Sequence, residues 1–348
     1  MNLNCLKTLT ISMVSVFLFF CCKSPSDESF GKYHLQVKEL EFPLPTTAFY
    51  PTSSLVFNNQ FFFLDAKGQQ ILVYDDSFRL VNIWQIKDHF VDLNERFNQI
   101  YKYGEDHFLL YSSMENKGIV GDQSFSDIKL VDFSSHSEQL LFPNGSDLQL
   151  IEKELVLPAL DYERGKRLLK IVSIDLNSGK RKNLFEFNEP LLSKIPIMFY
   201  TPSIILQDNL LEVYFPTLDK GEIINIDENQ NEKIEILDKY FGENFDLDKF
   251  NSDPFYLFDL SFYYYSLKKN STLIRLRNEK FNFDKNKPII NYILNRDNRS
   301  VNFKIPLPDS LFHKTVAENK GHYYFINSDL TNKKEGIVYL SEFSFELK

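Results

Sequence analysis

Apolar positions along this chain come in short runs, mostly four to six residues long and separated by polar turns. The clearest run is Phe61-Phe62-Phe63-Leu64, followed by Asp65-Ala66-Lys67-Gly68-Gln69-Gln70 and then Ile71-Leu72-Val73-Tyr74 before Asp75-Asp76. Aromatic and β-branched runs of this length, bounded by Gly, Asp and Lys, predict two strands joined by a turn. The same strand–turn–strand pattern recurs, with starts near residues 61, 107, 154, 210, 261 and 322. Repeats of roughly 40 to 60 residues, each with several short strands, are the signature of propeller blades, which bury their faces only against neighbours.

Taken in order, the first unit has Ser54–Phe57, Phe61–Leu64, Ile71–Tyr74 and Leu80–Ile86. The second has His107–Tyr111, a long polar loop, Ile128–Asp132 and Gln139–Phe142. The third has Glu154–Leu157, a loop over Asp161–Arg167, then Leu169–Leu176, the Asn177-Ser178-Gly179 turn and Lys182–Phe187. The fourth has Leu210–Phe215, Glu222–Ile226 and Lys233–Leu237. The fifth has Ser261–Leu267, Thr272–Leu276, Tyr292–Leu294 and Val301–Ile305. The sixth has His322–Ile326, Ile337–Leu340 and Phe343–Leu347. This last unit lacks an outer strand. The alternating segment Tyr33–Leu44 supplies one if it pairs with the final strands, which closes the ring and leaves no open sheet edge between first and last blades. The expected fold is therefore all-β, a β-propeller over residues 33–348, most simply of six blades. Seven blades follow if 240–300 hides another, and a pair of β-sandwiches is the alternative architecture. Lys87–Gln99 reads as a short helix with Phe90, Leu93 and Phe97 on one side, and Pro190–Thr201 as a packed loop.

Composition agrees with sheets: 34 Phe and 18 Tyr are heavy aromatic usage. A net charge of −9 argues against nucleic acid as a partner, because tracking phosphates takes a basic surface. The N-terminus has a different character. Lys7 precedes a mostly apolar stretch, Leu9–Phe20, too short to span a bilayer, and Cys21-Cys22 then lead into polar Lys23–Ser29. This start resembles a bacterial lipoprotein signal: residues 1–21 as signal peptide, Cys22 as the acylated residue (Cys21 the alternative, since Phe19 and Phe20 depart from the usual pattern), and 22–32 as a flexible tether. The expected address is the outer membrane, facing periplasm or cell surface, with the lipid as membrane contact. Cysteines occur only at 5, 21 and 22, which leaves the chain beyond Cys22 without a disulfide, a thiol nucleophile or a Cys-based zinc site.

No G-x-S-x-G, H-E-x-x-H or P-loop motif is present, and the six histidines at 34, 89, 107, 136, 313 and 322 lack ligand spacing. His107 and His322 do open equivalent hairpins. Asp246, Asp248, Asn251 and Asp253 lack the Gly and distal Glu of a calcium loop. Neither metal nor cofactor is expected. The one recurring chemical feature is basic. The loop between the second and third strands carries Lys67, Lys117, Arg164 with Lys166 and Arg167, Lys220, Lys268 with Lys269, and Lys333 with Lys334. A ring of such residues on one face would concentrate an anionic ligand there, unless neighbouring carboxylates cancel the charge.

The lipoprotein-like start, together with hairpins such as Asp208-Asn209…Glu212-Val213-Tyr214-Phe215-Pro216…Ile224-Asn225-Ile226-Asp227, resembles the uncharacterised six-bladed propeller lipoproteins of Bacteroidetes. The resemblance spans about 33–348 and lies in pattern, and it carries no catalytic residue because those families have no agreed activity. The function it implies is a membrane-tethered binding or scaffolding module with a protein or glycan partner. Two alternatives are an envelope hydrolase or lyase acting at an axial pocket, and an accessory component of polysaccharide or peptide uptake.

Overall fold

The computed structural model describes residues 31–41, 51–66, 68–89, 96–134, 138–142, 147–163, 166–187, 201–207, 210–215, 220–225, 230–235, 247–253, 256, 262–269, 272–278, 288–296, 299–306, 311–329 and 337–347. It opens on β1 (Gly31–Glu41), which begins inside the span read as tether. The first antiparallel sheet follows in chain order: β2 (Pro51–Phe57), β3 (Gln60–Asp65), β4 (Gln70–Tyr74) and β5 (Leu80–Gln85). Its strands match the sequence reading to within about three residues at each end. Helix α1 (Ile86–His89) is a single turn. The helix expected over Lys87–Gln99 is helical at 87–89 and corrected at its far end: Phe97 is fully buried but not helical, and the Gln69 side chain grips its backbone, Nε2 donating to Phe97 O at 2.9 Å and Oε1 accepting from Phe97 N at 2.9 Å. Phe90 and Leu93 lie outside the described residues.

The second sheet is β6 (Gln99–Tyr103), β7 (His107–Ser112), β8 (Lys117–Asp122) and β9 (Lys129–Asp132). β8 replaces the long polar loop expected there. Its Lys-Gly-Ile-Val-Gly-Asp sequence hides a strand because both glycines sit under large neighbours. A Cβ on Gly118 would stand 2.6 Å from Leu109 Cδ1, and one on Gly121 2.8 Å from the Phe108 ring. A two-residue strand β10 (Gln139–Leu140) pairs with the second strand of the third sheet, which runs β11 (Asp147–Ile151), β12 (Glu154–Glu163), β13 (Lys166–Asp175) and β14 (Arg181–Phe187). Second and third sheets are joined through a short parallel pairing of β6 with β11. The fourth sheet is β15 (Ser203–Gln207), β16 (Leu210–Tyr214), β17 (Lys220–Asn225) and β18 (Gln230–Glu235).

After helix α2 (Leu247–Ser252) comes the fifth sheet, β19 (Phe262–Lys269), β20 (Thr272–Asn278), β21 (Pro288–Arg296) and β22 (Arg299–Pro306). The intervening chain displaces this unit along the sequence: its second strand starts at Thr272, and the run near residue 261 is its first. The last sheet is β23 (Leu311–Asn319), β24 (His322–Asp329) and β25 (Ile337–Leu347), a single strand where two were expected, with β1 as its outer member. β1 and β25 pair in unbroken antiparallel register from Gly31↔Leu347 to Glu41↔Ile337.

The first strands of successive sheets lie side by side, β2 with β6, β6 with β11, β11 with β15 and β15 with β19, while β2 also contacts β23. Core forms where sheet faces meet. Phe62, Leu64, Ile71 and Val73 of the first sheet pack with Ile100, Phe108, Leu110 and Ile119 of the second. The opposite face, Phe61, Phe63, Leu72 and Tyr74, packs with Leu340 and Tyr324 of the last. Burying such side chains contributes roughly 1.5–3 kcal/mol each before entropy is counted.

A turn motif repeats across these seams. Asp75-Asp76-Ser77-Phe78 follows the third strand of the first sheet and Asp122-Gln123-Ser124-Phe125 that of the second. In both, the Asp carbonyl accepts from the Phe amide at 3.0 Å, and the Phe adopts positive φ, 58° and 56°. Hydrogen bonds to the turn hold both carboxyls below the usual range, from the Arg79 amide at Asp75 and from the Ser124 hydroxyl at Asp122. Phe125 sets its ring against Phe108 of its own sheet and Phe62 and Trp84 of the sheet before it, with centroids at 4.7, 6.0 and 4.0 Å. Phe78 does the same, against Phe61 of its own sheet at 4.8 Å and Tyr324 of the last sheet at 6.1 Å.

Candidate functional site

The basic loops do not form one ring of equivalent residues among the described positions. Lys117, Lys166 and Lys220 open the third strands of the second, third and fourth sheets, so they share one end of three successive units. Each has a carboxylate opposite in register: Asp132, Glu163 and Glu235. Arg167 follows Lys166 and is exposed. Lys268 and Lys269 are a correction. They end the first strand of the fifth sheet, and that hairpin turns at the other end of the sheet from a second–third loop. The displaced start of the fifth unit explains the misplacement. Lys67, Arg164, Lys333, Lys334, Cys21 and Cys22 lie outside the described residues. No group of His, Cys, Asp and Glu suited to a metal ion occurs among the described residues.

A different cluster comes together on the last sheet. β1 sets His34 opposite Ser344 and Gln36 opposite Glu342. β24 sets His322 opposite Ser344 and Tyr324 opposite Glu342. Side chains alternate faces along a strand, so these six residues of three strands share one face. That face also carries Leu340 and looks toward the first sheet. Near the seam it is apolar; further out it turns polar, and His34, Gln36, His322, Glu342 and Ser344 line an open cleft of about 280 Å³.

At its centre His322 Nδ1 lies 2.8 Å from Glu342 Oε1, an ion-pair distance without the alignment of a hydrogen bond. The Nδ1 atom is buried although the His322 side chain is 45% exposed, so the other edge of the ring faces outward. The Glu342 side chain is 17% exposed, and Tyr324 lies nearly parallel to the imidazole, centroids 6.5 Å apart. The carboxylate fixes the orientation of the imidazole ring by its proximity, and Gln36 and Ser344 add groups that both donate and accept. The arrangement suits recognition of a polar ligand. His107, the counterpart of His322 at the start of the second sheet's second strand, has its own carboxylate, Asp106 Oδ1 at 2.6 Å, but on the exposed turn and with no strand beyond it contributing a second polar row.

Sequence reasoning picked out His34 and His322 singly and did not join them. The signal was present in two parts: polar residues at alternate positions of the terminal strand, and the expectation that this strand pairs with the last sheet. Joining them takes the register, Ser344 between the two histidines, and patterning does not fix register to the residue.

Elsewhere the buried polar groups are structural. Lys170 Nζ meets Asp161 Oδ2 at 2.7 Å, and this hydrogen bond holds the Asp161 carboxyl below its usual range. The guanidinium of Arg181 reaches the Phe133 carbonyl and lies 3.5 Å from Glu138 Oε2, with desolvation lowering its pKa. Tyr214 donates to Glu212, a buried carboxyl, at 2.5 Å.

These sheets define a propeller-like, all-β fold. No protein-family model matches the sequence, and no curated protein matches it. Solved structures do. A member of the DUF4221 family from Bacteroides vulgatus superposes with a TM-score of 0.65 at 13% identity, covering 92% of this chain and 100% of that one. A putative exported protein from Bacteroides fragilis gives a TM-score of 0.56 at 10% identity, covering 90% of this chain and 95% of that one. A streptogramin B lyase gives 0.50 at 11% identity, covering 90% and 98%. At these identities the likeness concerns the fold.

Proposed function

We propose that the protein is a six-bladed propeller, tethered to the outer membrane through acylated Cys22 (or Cys21), that binds a polar ligand or partner at the cleft on its last sheet. The observation that carries the binding reading is the cleft itself: five polar side chains from three strands around one shielded His322–Glu342 pair. Ring closure draws support from the repeated turn. Phe78 meets Tyr324 as Phe125 meets Phe62, which gives the last sheet the same relation to the first that the first has to the second. The envelope address draws support from the lipoprotein-like start. Among the described residues no helix is long and apolar enough to cross a membrane, and an acyl group is the anchor the sequence offers.

The lysine-bearing end was the expected surface for an anionic ligand. In register Lys117 stands opposite Asp132, Lys166 opposite Glu163 and Lys220 opposite Glu235, a pattern of alternating charge that favours the cleft over this end as the ligand's place. Screening the protein against arrays of neutral glycans, sulfated glycans and peptides tests this. Binding should be lost in His322→Ala and Glu342→Gln and retained in Lys117→Glu/Lys166→Glu/Lys220→Glu. The opposite pattern overturns the placement. An envelope hydrolase or lyase is the second reading, favoured by the same histidine–carboxylate pair. It requires a bound glycan to be converted, and conversion lost with His322→Ala while affinity is kept would establish it.

A further inference from the structure

The outer strand of a sheet exposes a row of backbone donors and acceptors, and folded proteins protect such edges with charge. Here β1, β9, β14, β18 and β22 all carry Lys, Arg, Asp or Glu. β5, Leu-Val-Asn-Ile-Trp-Gln, carries none. Three of its apolar side chains are exposed, Leu80 at 38%, Val81 at 50% and Ile83 at 40%. An uncharged edge with three exposed aliphatic residues is the mark of a covered surface.

The position of the chain's start says what covers it. β1 is the outer strand of the last sheet, and that sheet packs on the first. Gly31 lies at the end of the last sheet where β24 begins. Tyr324, near the start of β24, stands 4.9 Å from Phe61, near the start of β3, and Phe61 pairs through Tyr74 with Leu80. Gly31, the first described residue, therefore lies toward the same end of the two sheets as the N-terminal end of β5. Residues 23–30 reach at most about 27 Å when fully extended. An acyl group on Cys22 would keep Gly31, and with it this end of the last sheet, close to the bilayer.

We propose that Leu80, Val81 and Ile83 seat the flank of the first sheet on the membrane surface. This rests on the lipid-anchor reading above. Backbone groups of an edge strand cannot enter hydrocarbon unpaired, so the strand lies at the hydrated headgroup level with its side chains reaching down. Apolar contact, not charge, holds it: Arg79, beside Leu80, is paired with Asp75 at 2.8 Å.

Trp84, the chain's single tryptophan, lies in the same strand and reports the contact. The full acylated chain is reconstituted into phosphatidylcholine vesicles carrying bromine either high or deep in the acyl chains. The expected result is quenching of Trp84 that is stronger with the high bromines, persists in 1 M salt, and is lost in Val81→Asp/Ile83→Asp although the protein still floats with the vesicles. Val81→Ser/Ile83→Ser serves if the acidic pair does not fold. Acylated protein that floats with Trp84 unquenched overturns the proposal, as does quenching abolished by salt. Ready disulfide dimers of Val81→Cys without quenching show that a second copy covers the strand, and also overturn it. Absence of an acyl group by mass spectrometry overturns the anchor reading and this proposal with it, a failure distinguishable from the others.

Discussion

Phe78 and Phe125 hold a backbone conformation that bulky L-residues seldom adopt, and the same Asp-x-Ser-Phe turn holds each of them there. Their rings repay the strain by packing across two sheets. Phe125→Ala should cost about 3–5 kcal/mol in urea denaturation, and Phe78→Ala less, because Phe78 is only half-buried. Gly121 poses the opposite problem, a missing side chain with no room for one. Gly121→Val should destabilise by about 1–3 kcal/mol by the same measurement, as Phe108 and Ile128 are forced aside. The two sites differ in legibility. Asp-x-Ser-Phe stands at 27–30, 75–78, 122–125 and 259–262 of the sequence, and the meaning of the copies at 75 and 122 rests on which sheets the rings touch. The glycines read as turn signals, because their tight neighbours come from other strands.

At the scale of elements, the strands were most legible where apolar runs were dense and turns short, as across Phe61–Tyr74, and least where polar residues sit inside long strands. β12 runs on through Asp161, which the pattern reading assigns to a loop, and β13 starts at Lys166, three residues before the strand read from Leu169. Asp161 is paired with Lys170 of the neighbouring strand at 2.7 Å. Lys170→Met should cost about 3 kcal/mol, since it leaves the Asp161 carboxylate without its partner in a site only 14% exposed, and adding Asp161→Leu should recover most of the loss. Thermal melts of the two variants measure both. The pairing of the N-terminal strand with the last sheet was legible by its alternation and by the shortage of strands at the C-terminus. The cleft was not, because it depends on three strands from opposite ends of the chain lining up in one register.

For the whole molecule, burial and turn geometry set opposite pH limits. Desolvation raises the Tyr101 hydroxyl well above its ordinary value and pushes Tyr103 and Tyr111 to about 12. The unfolded chain ionises first, so the stability is intact below about pH 10 and falls as pH rises toward 12, by about 1.4 kcal/mol per unit for each such group. Tyrosinate absorbance of these residues should appear together with loss of circular dichroism and not before it. On the acid side Asp75, Asp122, Asp132 and Asp175 are all held below the ordinary carboxylate value of 3.8 by turn hydrogen bonds. Their contribution is present above that value and is lost as pH falls through their lower folded values. A stability plateau between these limits, read by denaturant titration, is the expected result.

The ladder between β1 and β25 extends over all 11 residues of β1, against five pairs between β4 and β5 and four between β8 and β9. In an anchored protein this strand is where tension from the membrane enters the fold. A pull along its axis loads the whole ladder in shear, and every rung must yield together. A pull across the axis peels the rungs one at a time and needs far less force. The molecule should therefore hold firm when drawn lengthwise by its N-terminal strand and part easily when that strand is lifted sideways. The first thing to give way would be the strand that carries His34 and Gln36, so the cleft would come apart before the core.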